Sequence, residues 1–379
     1  MQALSKPLSR GTEETDAFEI ATEAAARPGP VLVQAEPPQR AASPQRAASP
    51  LRAPAPQKSG LSLLTPGELP LWDALVEKSE QCSVFAKSWW LEAACGQPRI
   101  LGYFQPGRLL AGIPLHYERR FGLKICRMPC LTQTMGVTMS PLPGKQMAQS
   151  ARETEILDAF AQRLAQESVF LQAFHPSMQN WLPFYWRGFT QTTHYTYVYE
   201  DLSSISDLWD GLDKARRTNI RKARRLGLTV RECGPETVYY AASASFERQN
   251  KKCPYTLEYF SRLYEAARAQ DAVVCMAAMD SGGKIHAAEC MVWDAKRSYA
   301  IAGGHDTALG SSGGAVLLRW TMVEFAATRT ATFDFEGSMH RPIEASFRSF
   351  GAKRVGYQRI TKMPRWLRMA LCAARREQL

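Results

Sequence analysis

The segment that decides the fold is YAIAGGHD (residues 299–306), which is followed by SSGGAVLLRWTMVEFA (311–326), FDFEGSM (333–339) and IEASFRSFGAK (343–353). Its pattern predicts a strand at 298–303, a helix at 314–327, a strand at 332–335, a helix at 342–350 and a last strand at 354–361. Parallel strands need a crossover connection, and the helix at 314–327 supplies one. These elements predict an α/β chain in which a twisted mixed sheet is flanked by helices.

The alternation of strands and helices continues upstream of this segment. In the second half, it predicts helices at 204–226, 236–249 and 257–270 and strands at 228–231, 272–278 and 285–293. In the first half, it predicts helices at 71–79, 85–95 and 151–166 and strands at 99–104, 109–117, 169–174 and 192–199. The alternation is more regular in the second half than in the first.

Two short motifs repeat between the halves. FHPSM (174–178) and FEGSM (335–339) lie 161 residues apart, and each is followed by a strand that contains a tyrosine, Tyr195 or Tyr357. We interpret this as two domains of one fold, at 61–200 and 201–362, followed by a basic helix in 363–379. Residues 1–60 are rich in Ala, Pro and Arg and contain QRAASP twice, which predicts a disordered tail.

Composition and charge restrict the classes of protein. No run of 18 apolar residues and no signal-type N-terminus occurs, so we expect a cytoplasmic protein without a transmembrane segment. Nine cysteines without a CxxC pair predict free thiols and no metal site. The formal charge is +11, and residues 1–60 hold seven basic and six acidic residues, so about +10 lies on the remainder. This excess favours an anionic partner.

Two stretches resemble a known family: DKARRTNIRKARRLGLTV (213–230) and the segment 299–353. They are similar to the FemAB-like branch of the GNAT superfamily of acyltransferases, whose domains are often paired in one chain. The order of a small-residue turn, an acidic strand end and SFGA also resembles leucyl/phenylalanyl-tRNA–protein transferases. The resemblance covers roughly residues 65–362 and implies tandem GNAT-like domains, with the second one catalytic.

The small-residue turn is the candidate binding site for the donor. Its residues open a helix, where backbone N–H groups and the helix dipole favour an anion; they are Gly310, Ser311, Ser312, Gly313 and Gly314. In GNAT enzymes this turn binds the coenzyme A pyrophosphate, but the polar residue that usually leads the motif is missing, since Thr307 and Ala308 stand there. An ordinary glycine-rich loop remains the alternative.

Asp334 and Glu336 are the candidate catalytic carboxylates. Residues two apart on a strand point the same way, so we expect both over one pocket, where one pKa rises and that carboxylate accepts a proton from an amine. Asp334 as a turn cap and Glu336 in a surface ion pair is the alternative. His305, at the end of the strand that lies beside the thioester in GNAT folds, is a further candidate base, ahead of His286.

A basic helix is the candidate site for substrate phosphates. Seven basic residues lie in 214–225, and we select four of them on neighbouring faces: Lys214, Arg217, Arg221 and Arg224. A coenzyme or a tRNA acceptor stem would compensate their charge. A solvated face that is offset by acidic residues elsewhere is the alternative.

These observations predict an amide-forming transferase. The donor is expected to be aminoacyl-tRNA or acyl-CoA, with no tightly bound cofactor, and the acceptor a small-molecule or cell-envelope-precursor amine. The alternative is a non-catalytic protein of the same fold that binds nucleic acid or an anionic glycan through its basic face. The sequence alone does not distinguish between the donors.

Overall fold

The computed structural model describes residues 58–120, 122–337, 339 and 341–376. The strands are β1 (Gly60–Leu63), β2 (Ile100–Gln105), β3 (Arg108–Pro114), β4 (His116–Arg120), β5 (Leu123–Arg127), β6 (Thr138–Met139), β7 (Val169–Ala173), β8 (Thr190–Tyr199), β9 (Thr229–Glu232), β10 (Val273–Met279), β11 (Ile285–Trp293), β12 (Arg297–His305), β13 (Thr332–Asp334) and β14 (Lys353–Lys362). The predicted tail at 1–60 lies outside the described residues except for its last three.

The helices alternate with these strands. They are α1 (Leu69–Lys78), α2 (Ser88–Cys95), α3 (Gln146–Leu164), α4 (Leu182–Trp186), α5 (Ile205–Gly211), α6 (Lys214–Arg225), α7 (Pro235–Glu247), α8 (Leu257–Arg268), α9 (Gly314–Ala326), α10 (Arg341–Arg348) and α11 (Arg365–Arg376). Short 3-10 turns at Pro66–Glu68, Val84–Ala86 and Thr307–Ser312 precede α1, α2 and α9.

The strands form two sheets. The large one has the order β4-β5-β7-β14-β8-β13-β12-β11-β10-β9, and the small one has the order β1-β2-β3-β6. β5 is parallel to β7 and β12 is parallel to β13, whereas their other neighbours are antiparallel. The fold is therefore an α/β fold with a mixed sheet, as the sequence predicts.

The inner part of the large sheet, from β5 to β12, is nearly symmetric about the adjacent strands β14 and β8. β14 lies between β7 and β8, while β8 lies between β14 and β13. A long helix precedes β7 and β13 alike, and the motifs FHPSM and FEGSM follow these two strands. The two halves thus repeat one arrangement of helix and strand, and the last strand of each half pairs with a strand of the other half.

Helices cover both faces of the large sheet. On one side, called the α9 face here, Met291 and Phe333 pack with α6 and α9. On the opposite side, called the α7 face, Val292 and Tyr299 pack with α7 and α8. Trp90 of α2 joins this second cluster, so a helix of the first half packs against the second half. Alternate side chains of each strand supply the two faces.

Most predicted elements are confirmed, but two predictions need correction. The helix predicted at 204–226 is two helices, because the chain becomes extended at Leu212 and Asp213 begins a new helix as its N-cap, where Oδ1 accepts the Ala215 N–H at 2.7 Å. The strand predicted at 109–117 is interrupted at Leu115, and β4 and β5 were not predicted. No described helix is long and apolar enough to cross a membrane.

Candidate active site

A gap opens between β12 and β13, the two parallel strands of the second half. They pair at only three positions, from Arg297 with Thr332 to Tyr299 with Asp334. β12 then continues to His305 along β11, while the chain after β13 follows β8. Among the described residues, no strand therefore pairs with β12 after Tyr299 on the side that faces away from β11. The backbone N–H and C=O groups on that side of β12 are left without a strand partner.

A bulge in β12 lies beside this gap. Met291 of β11 pairs with Ala300 and Cys290 pairs with Ala302, so Ile301 is one residue extra in β12. Bulges bend a strand and re-aim its backbone groups, and they are common next to active sites. The backbone N–H groups of β12 at the gap are thus placed to donate to the oxygen of a bound carbonyl group.

A cavity of about 910 Å³ passes along this gap and is lined by residues from both faces of the sheet. We call it the central cavity. The second half contributes parts of α7, β11, β12, α9 and α10, and the first half contributes β5, the segment after it, β7 and β8. Its polar lining includes Arg127, His194, Arg248, Glu289, His305, Arg319, Glu336, Tyr357 and Arg359. The central cavity is therefore built by both halves of the chain.

Glu336 lies in the wall of the central cavity, just after β13. Its Oε1 is buried without a hydrogen-bond partner, and its backbone has a positive φ of 50°, which is unusual for a residue other than glycine. Burial raises its pKa well above the usual value, the charge of Asp334 raises it further, and Arg319 opposes both. The raised pKa makes the ionised form of this carboxyl group a stronger proton acceptor than an ordinary glutamate.

Gly337 helps to hold the backbone conformation of Glu336. A Cβ atom on Gly337 would lie 2.0 Å from the backbone oxygen of Tyr195, so the chain can pass β8 here only with glycine. The Gly337 N–H also donates to Thr196 Oγ1 at 2.8 Å. These contacts fix the direction in which Glu336 leaves the sheet.

Asp334 is fully buried on the other side of this turn and does not line the central cavity. Its Oδ1 accepts from Thr196 Oγ1 at 2.5 Å and from the Glu336 N–H at 2.9 Å, and Oδ2 lies 3.3 Å from Arg297 Nη1. Burial raises its pKa, and Arg297 with these donors opposes the rise. The prediction that both carboxylates face one pocket is therefore wrong, because β13 ends at Asp334 and strand alternation does not reach Glu336.

A second carboxylate, Glu289, does line the central cavity. It is buried on β11 and forms an ion pair with Arg319 of α9. Burial raises the pKa of Glu289, and the Arg319 charge opposes the rise. Arg319 also lies over the rings of Phe335 and Phe347, and its Nη1 has no hydrogen-bond partner. Arg319 therefore keeps a free N–H donor beside the two glutamates.

Two histidines in the cavity lining, His194 and His305, have lowered pKa values. Burial and the nearby Arg359 lower the pKa of His194 to about 4. Burial and Arg248 lower the pKa of His305, and Asp306 opposes this. His305 lies at the end of β12 and lines the central cavity, whereas His286 is buried outside it. His305 thus stays a candidate base, though Glu336 lies deeper in the gap.

The small-residue turn lies outside the cavity lining. A Cβ atom on Gly313 would lie 2.4 Å from the Asn219 oxygen of α6, and one on Gly314 would lie 2.8 Å from Cβ of His286. Ser312 Oγ is 2.8 Å from His286 Nδ1. Close packing against α6 and β11 therefore requires these residues to be small. Of the five residues selected from the sequence, Gly310 and Ser311 remain exposed.

The basic helix α6 uses most of its predicted phosphate-binding residues within the chain. Arg217 donates to backbone oxygens of α5, 2.6 Å from that of Asp210, while Arg221 and Arg224 lie over the ring of Trp209 at 5.6 and 5.9 Å. These three arginines therefore lie on the side of α6 that faces Trp209. Lys214 is exposed at the start of the helix. None of these four basic residues is in the cavity lining.

Several residues of the central cavity were not selected from the sequence, and some carried a signal. Glu289 is the one acidic residue in the apolar strand IHAAECMVW, and Arg319 is the one basic residue in the apolar helix GAVLLRWTMVEFA. A charged residue in a buried segment needs a partner or a function. Arg127, Tyr357 and Arg359 gave no such signal, because only the pairing of β14 with β7 and β8 brings them to this cavity.

Comparison with known proteins agrees with this geometry. A family model for the GNAT acetyltransferase domain matches residues 214–341. A crystal structure of FemX aligns with a TM-score of 0.57 at 12% identity, over 78% of this chain and 96% of FemX. The C-terminal domain of a putative lysylphosphatidylglycerol synthetase from Agrobacterium fabrum aligns with a TM-score of 0.51 at 12% identity, over 81% of this chain and 95% of that one. No curated protein sequence matches the chain.

The family match lies within the second half of the chain. The matched region runs from the start of α6 to the start of α10 and contains the gap between β12 and β13, with Glu336 beside it. FemX aligns along almost its whole length, so its fold spans both halves of this chain. The chain therefore has a FemX-like fold, and residues 214–341 match the model of a GNAT acetyltransferase domain.

Proposed function

We propose that this chain transfers an acyl or aminoacyl group to an amine and so forms an amide. The observation that carries the proposal is Glu336, a carboxyl group with a raised pKa and an unpaired oxygen, which lies in the cavity beside the gap between β12 and β13. An amine must lose a proton when it attacks a carbonyl carbon, and a positioned carboxylate of raised pKa is suited to accept it.

The steps of the proposed reaction use groups of the chain alone. The amine nitrogen attacks the carbonyl carbon, the N–C bond forms, and the bond from carbon to sulfur or oxygen of the donor breaks. Glu336 accepts the proton of the amine, and Glu336 or water then donates a proton to the leaving thiolate or alkoxide. Backbone N–H groups of β12 at the gap stabilise the negative carbonyl oxygen. Arg319, fixed by Glu289, adds positive charge beside the same space.

The donor belongs to one of two classes, acyl-CoA or aminoacyl-tRNA. The GNAT domain supports the first, and the FemX-like fold across both halves supports comparison with the second. Gly313 and Gly314 pack closely against neighbouring elements, and the arginines of α6 contact α5, so these residues do not distinguish the two donors. The distinction between the donors thus depends on measurement.

The test is a transfer assay with the full chain. Purified protein is incubated with a panel of amines and either a mixture of acyl-CoAs or total charged tRNA, and the products are detected by mass spectrometry as amines with an added acyl mass. Formation of an amide with one donor class, lost in Glu336→Gln, supports the proposal. Tight binding of donors or nucleic acid without any product would contradict it and would favour the non-catalytic alternative.

A further inference from the structure

The helix α11 exposes large apolar side chains. On one side of the helix, Leu367 is buried against Ile125 and Val169, near the starts of β5 and β7. On the other side, Trp366 and Met369 are 56% and 67% exposed. Residues three apart are neighbours on a helix surface, so these two side chains form one apolar stripe. A tryptophan and a methionine that are exposed side by side favour a contact with a partner.

Basic residues flank this apolar stripe. Arg365 and Arg368 are exposed and are also three apart, so they form a second stripe on α11. The segment KMPRWLRMALCAARR (362–376) holds five basic residues and no acidic one. A second copy of α11 would carry the same positive charge and would be repelled, so this helix is unsuited to pairing with itself. The charge instead favours an anionic partner.

The hairpin of β4 and β5 adds positive charge at the same end of the large sheet. Arg119 and Lys124 are exposed and are direct partners across the two strands. Like charges in directly opposite positions are unfavourable. Glu118 of the same hairpin already pairs with Arg120. An anionic surface at this end would compensate the charge of both the hairpin and α11.

Exposed aromatic residues of α4 lie near the same end of the sheet. The segment after α4 leads to Thr190, the first residue of β8, which pairs with Thr361 shortly before α11. Tyr185 and Trp186 of α4 are exposed. Among the described residues, Trp186 and Trp366 are the two exposed tryptophans. Tryptophan and tyrosine are enriched at the boundary between lipid headgroups and acyl chains.

We propose that α11 docks on an anionic lipid surface, with Trp366 and Met369 inserted between the headgroups and Arg365 and Arg368 beside the lipid phosphates. Helices that carry basic residues beside tryptophan and other apolar residues bind in the plane of such surfaces. Each arginine near an anionic leaflet adds to the attraction, and salt screens it. The inference goes beyond the proposed reaction and does not depend on it.

Docking of α11 would bring one end of the central cavity close to the lipid surface. The helix packs on Ile125 and Val169, and two residues further along the same strands Arg127 and Leu171 line the cavity. Residues two apart on a strand point to the same face and are about 7 Å apart. The first-half end of the central cavity would therefore lie beside the docked helix.

The test is sedimentation of the full chain with sucrose-loaded vesicles. One set of vesicles is phosphatidylcholine alone, and the other is an equal mixture of phosphatidylcholine and phosphatidylglycerol. We expect the wild type to bind the mixed vesicles at least tenfold more tightly than the neutral ones at about 0.1 M salt, and the difference to shrink at about 1 M salt. The double variant Trp366→Ser with Met369→Ser should bind the mixed vesicles several-fold more weakly. Arg365→Gln with Arg368→Gln should remove most of the preference for the mixed vesicles.

Two control variants carry matched changes elsewhere on the chain. Tyr240→Ser replaces an exposed aromatic residue of α7, and Lys222→Gln with Arg225→Gln replaces two exposed basic residues of α6. Both controls should bind vesicles like the wild type, and circular dichroism checks that every variant is folded. No binding of the wild type to the mixed vesicles would overturn the inference. An equal loss of binding in the α6 control and in the arginine variant of α11 would also overturn it, because the attraction would then not be specific to α11.

Other partners of α11 would be recognised in the same experiments. Vesicle binding that appears only when the acidic residues of EETDAFEIATE (13–23) are replaced by amides would show that this segment covers α11 in the protein. A dimer in light scattering that Trp366→Ser with Met369→Ser abolishes, or tRNA binding that Arg365→Gln with Arg368→Gln abolishes, would identify a second copy or RNA when the wild type binds no vesicles. Each of these results would overturn the inference. Transfer to soluble amines should be unchanged in the α11 variants, so docking and the proposed reaction can fail separately.

Discussion

The substitution Glu336→Gln tests the proposed reaction most directly. Glutamine has nearly the same shape as glutamate but cannot accept the proton of the amine. A positioned general base contributes about 10²–10⁴ in rate, which corresponds to about 2.7–5.4 kcal/mol of transition-state stabilisation. We expect kcat to fall within this range. Substrate binding should change little, because Oε1 of Glu336 has no hydrogen-bond partner to lose.

Glu336→Gln should lower the reaction rate without lowering the stability of the fold at alkaline pH. Burial and Asp334 raise the pKa of Glu336, so the folded state holds this proton more firmly than the unfolded chain does. Its contribution to the free energy of unfolding is complete below the unfolded pKa of about 4.3 and is lost as the pH rises through the folded pKa. Glutamine does not ionise. We therefore expect Glu336→Gln to be at least as stable as the wild type at pH 8.

The pH profile of the reaction follows from the same pKa. Glu336 accepts a proton only when ionised, so the rate of the wild type should rise with pH through a value well above that of an ordinary glutamate. The assay is the initial rate of amide formation between pH 5 and 9, with Glu200→Gln as the control, since Glu200 is exposed and pairs with Lys353. Activity of Glu336→Gln within twofold of the wild type, or an unchanged pH profile, would refute the reasoning.

Three further substitutions test the support of the site. Asp334→Ala leaves Arg297 and two other donors without their acceptor, so the free energy of unfolding in urea should fall by about 3–5 kcal/mol. Asp334→Asn should lower it by less. Equal stability of the wild type and both variants would contradict this. Gly337→Ala sets a Cβ atom against the Tyr195 oxygen and should reduce transfer at least tenfold in a protein that is still folded, and normal activity would contradict it. Asp213→Ala removes the cap of α6 and should lower the free energy of unfolding by about 1 kcal/mol in the same assay, with transfer unchanged.

The sequence predicted the fold well because its signals are local. Apolar periodicity and turn residues located most of the elements but not β1, β6 or α4, and the repeat of FHPSM and FEGSM indicated two related halves. It failed at 204–226, where helical charge periodicity hid the break before Asp213. It also missed β4 and β5, whose sequences HYERR and LKICR are short and highly charged.

The candidate site was predictable only in part. Glu336 and His305 were selected and both line the central cavity, whereas Asp334 was assigned to the cavity by a strand alternation that had already ended. The glycines of the small-residue turn and the arginines of α6 were selected as anion-binding residues. In the structure, Gly313 packs against α6, and the arginines of α6 contact an aromatic ring or backbone oxygens. Residue type alone does not separate these two uses of glycine and arginine.

β8 and β14 each pair with strands of the other half, so neither half should fold on its own. A fragment of residues 201–362 would lack β8, so β13 would lose one neighbour and β14 would lose both. Unpaired buried backbone groups are costly, and the fragment would also expose the side chains that pack against the first half. We expect this fragment to show no cooperative unfolding transition by circular dichroism, and addition of a 58–200 fragment to restore one. A 201–362 fragment that unfolds cooperatively alone and binds donor would show that the second half is complete. The first half would then contribute only part of the lining of the central cavity, and the inference that both halves form one functional unit would be wrong.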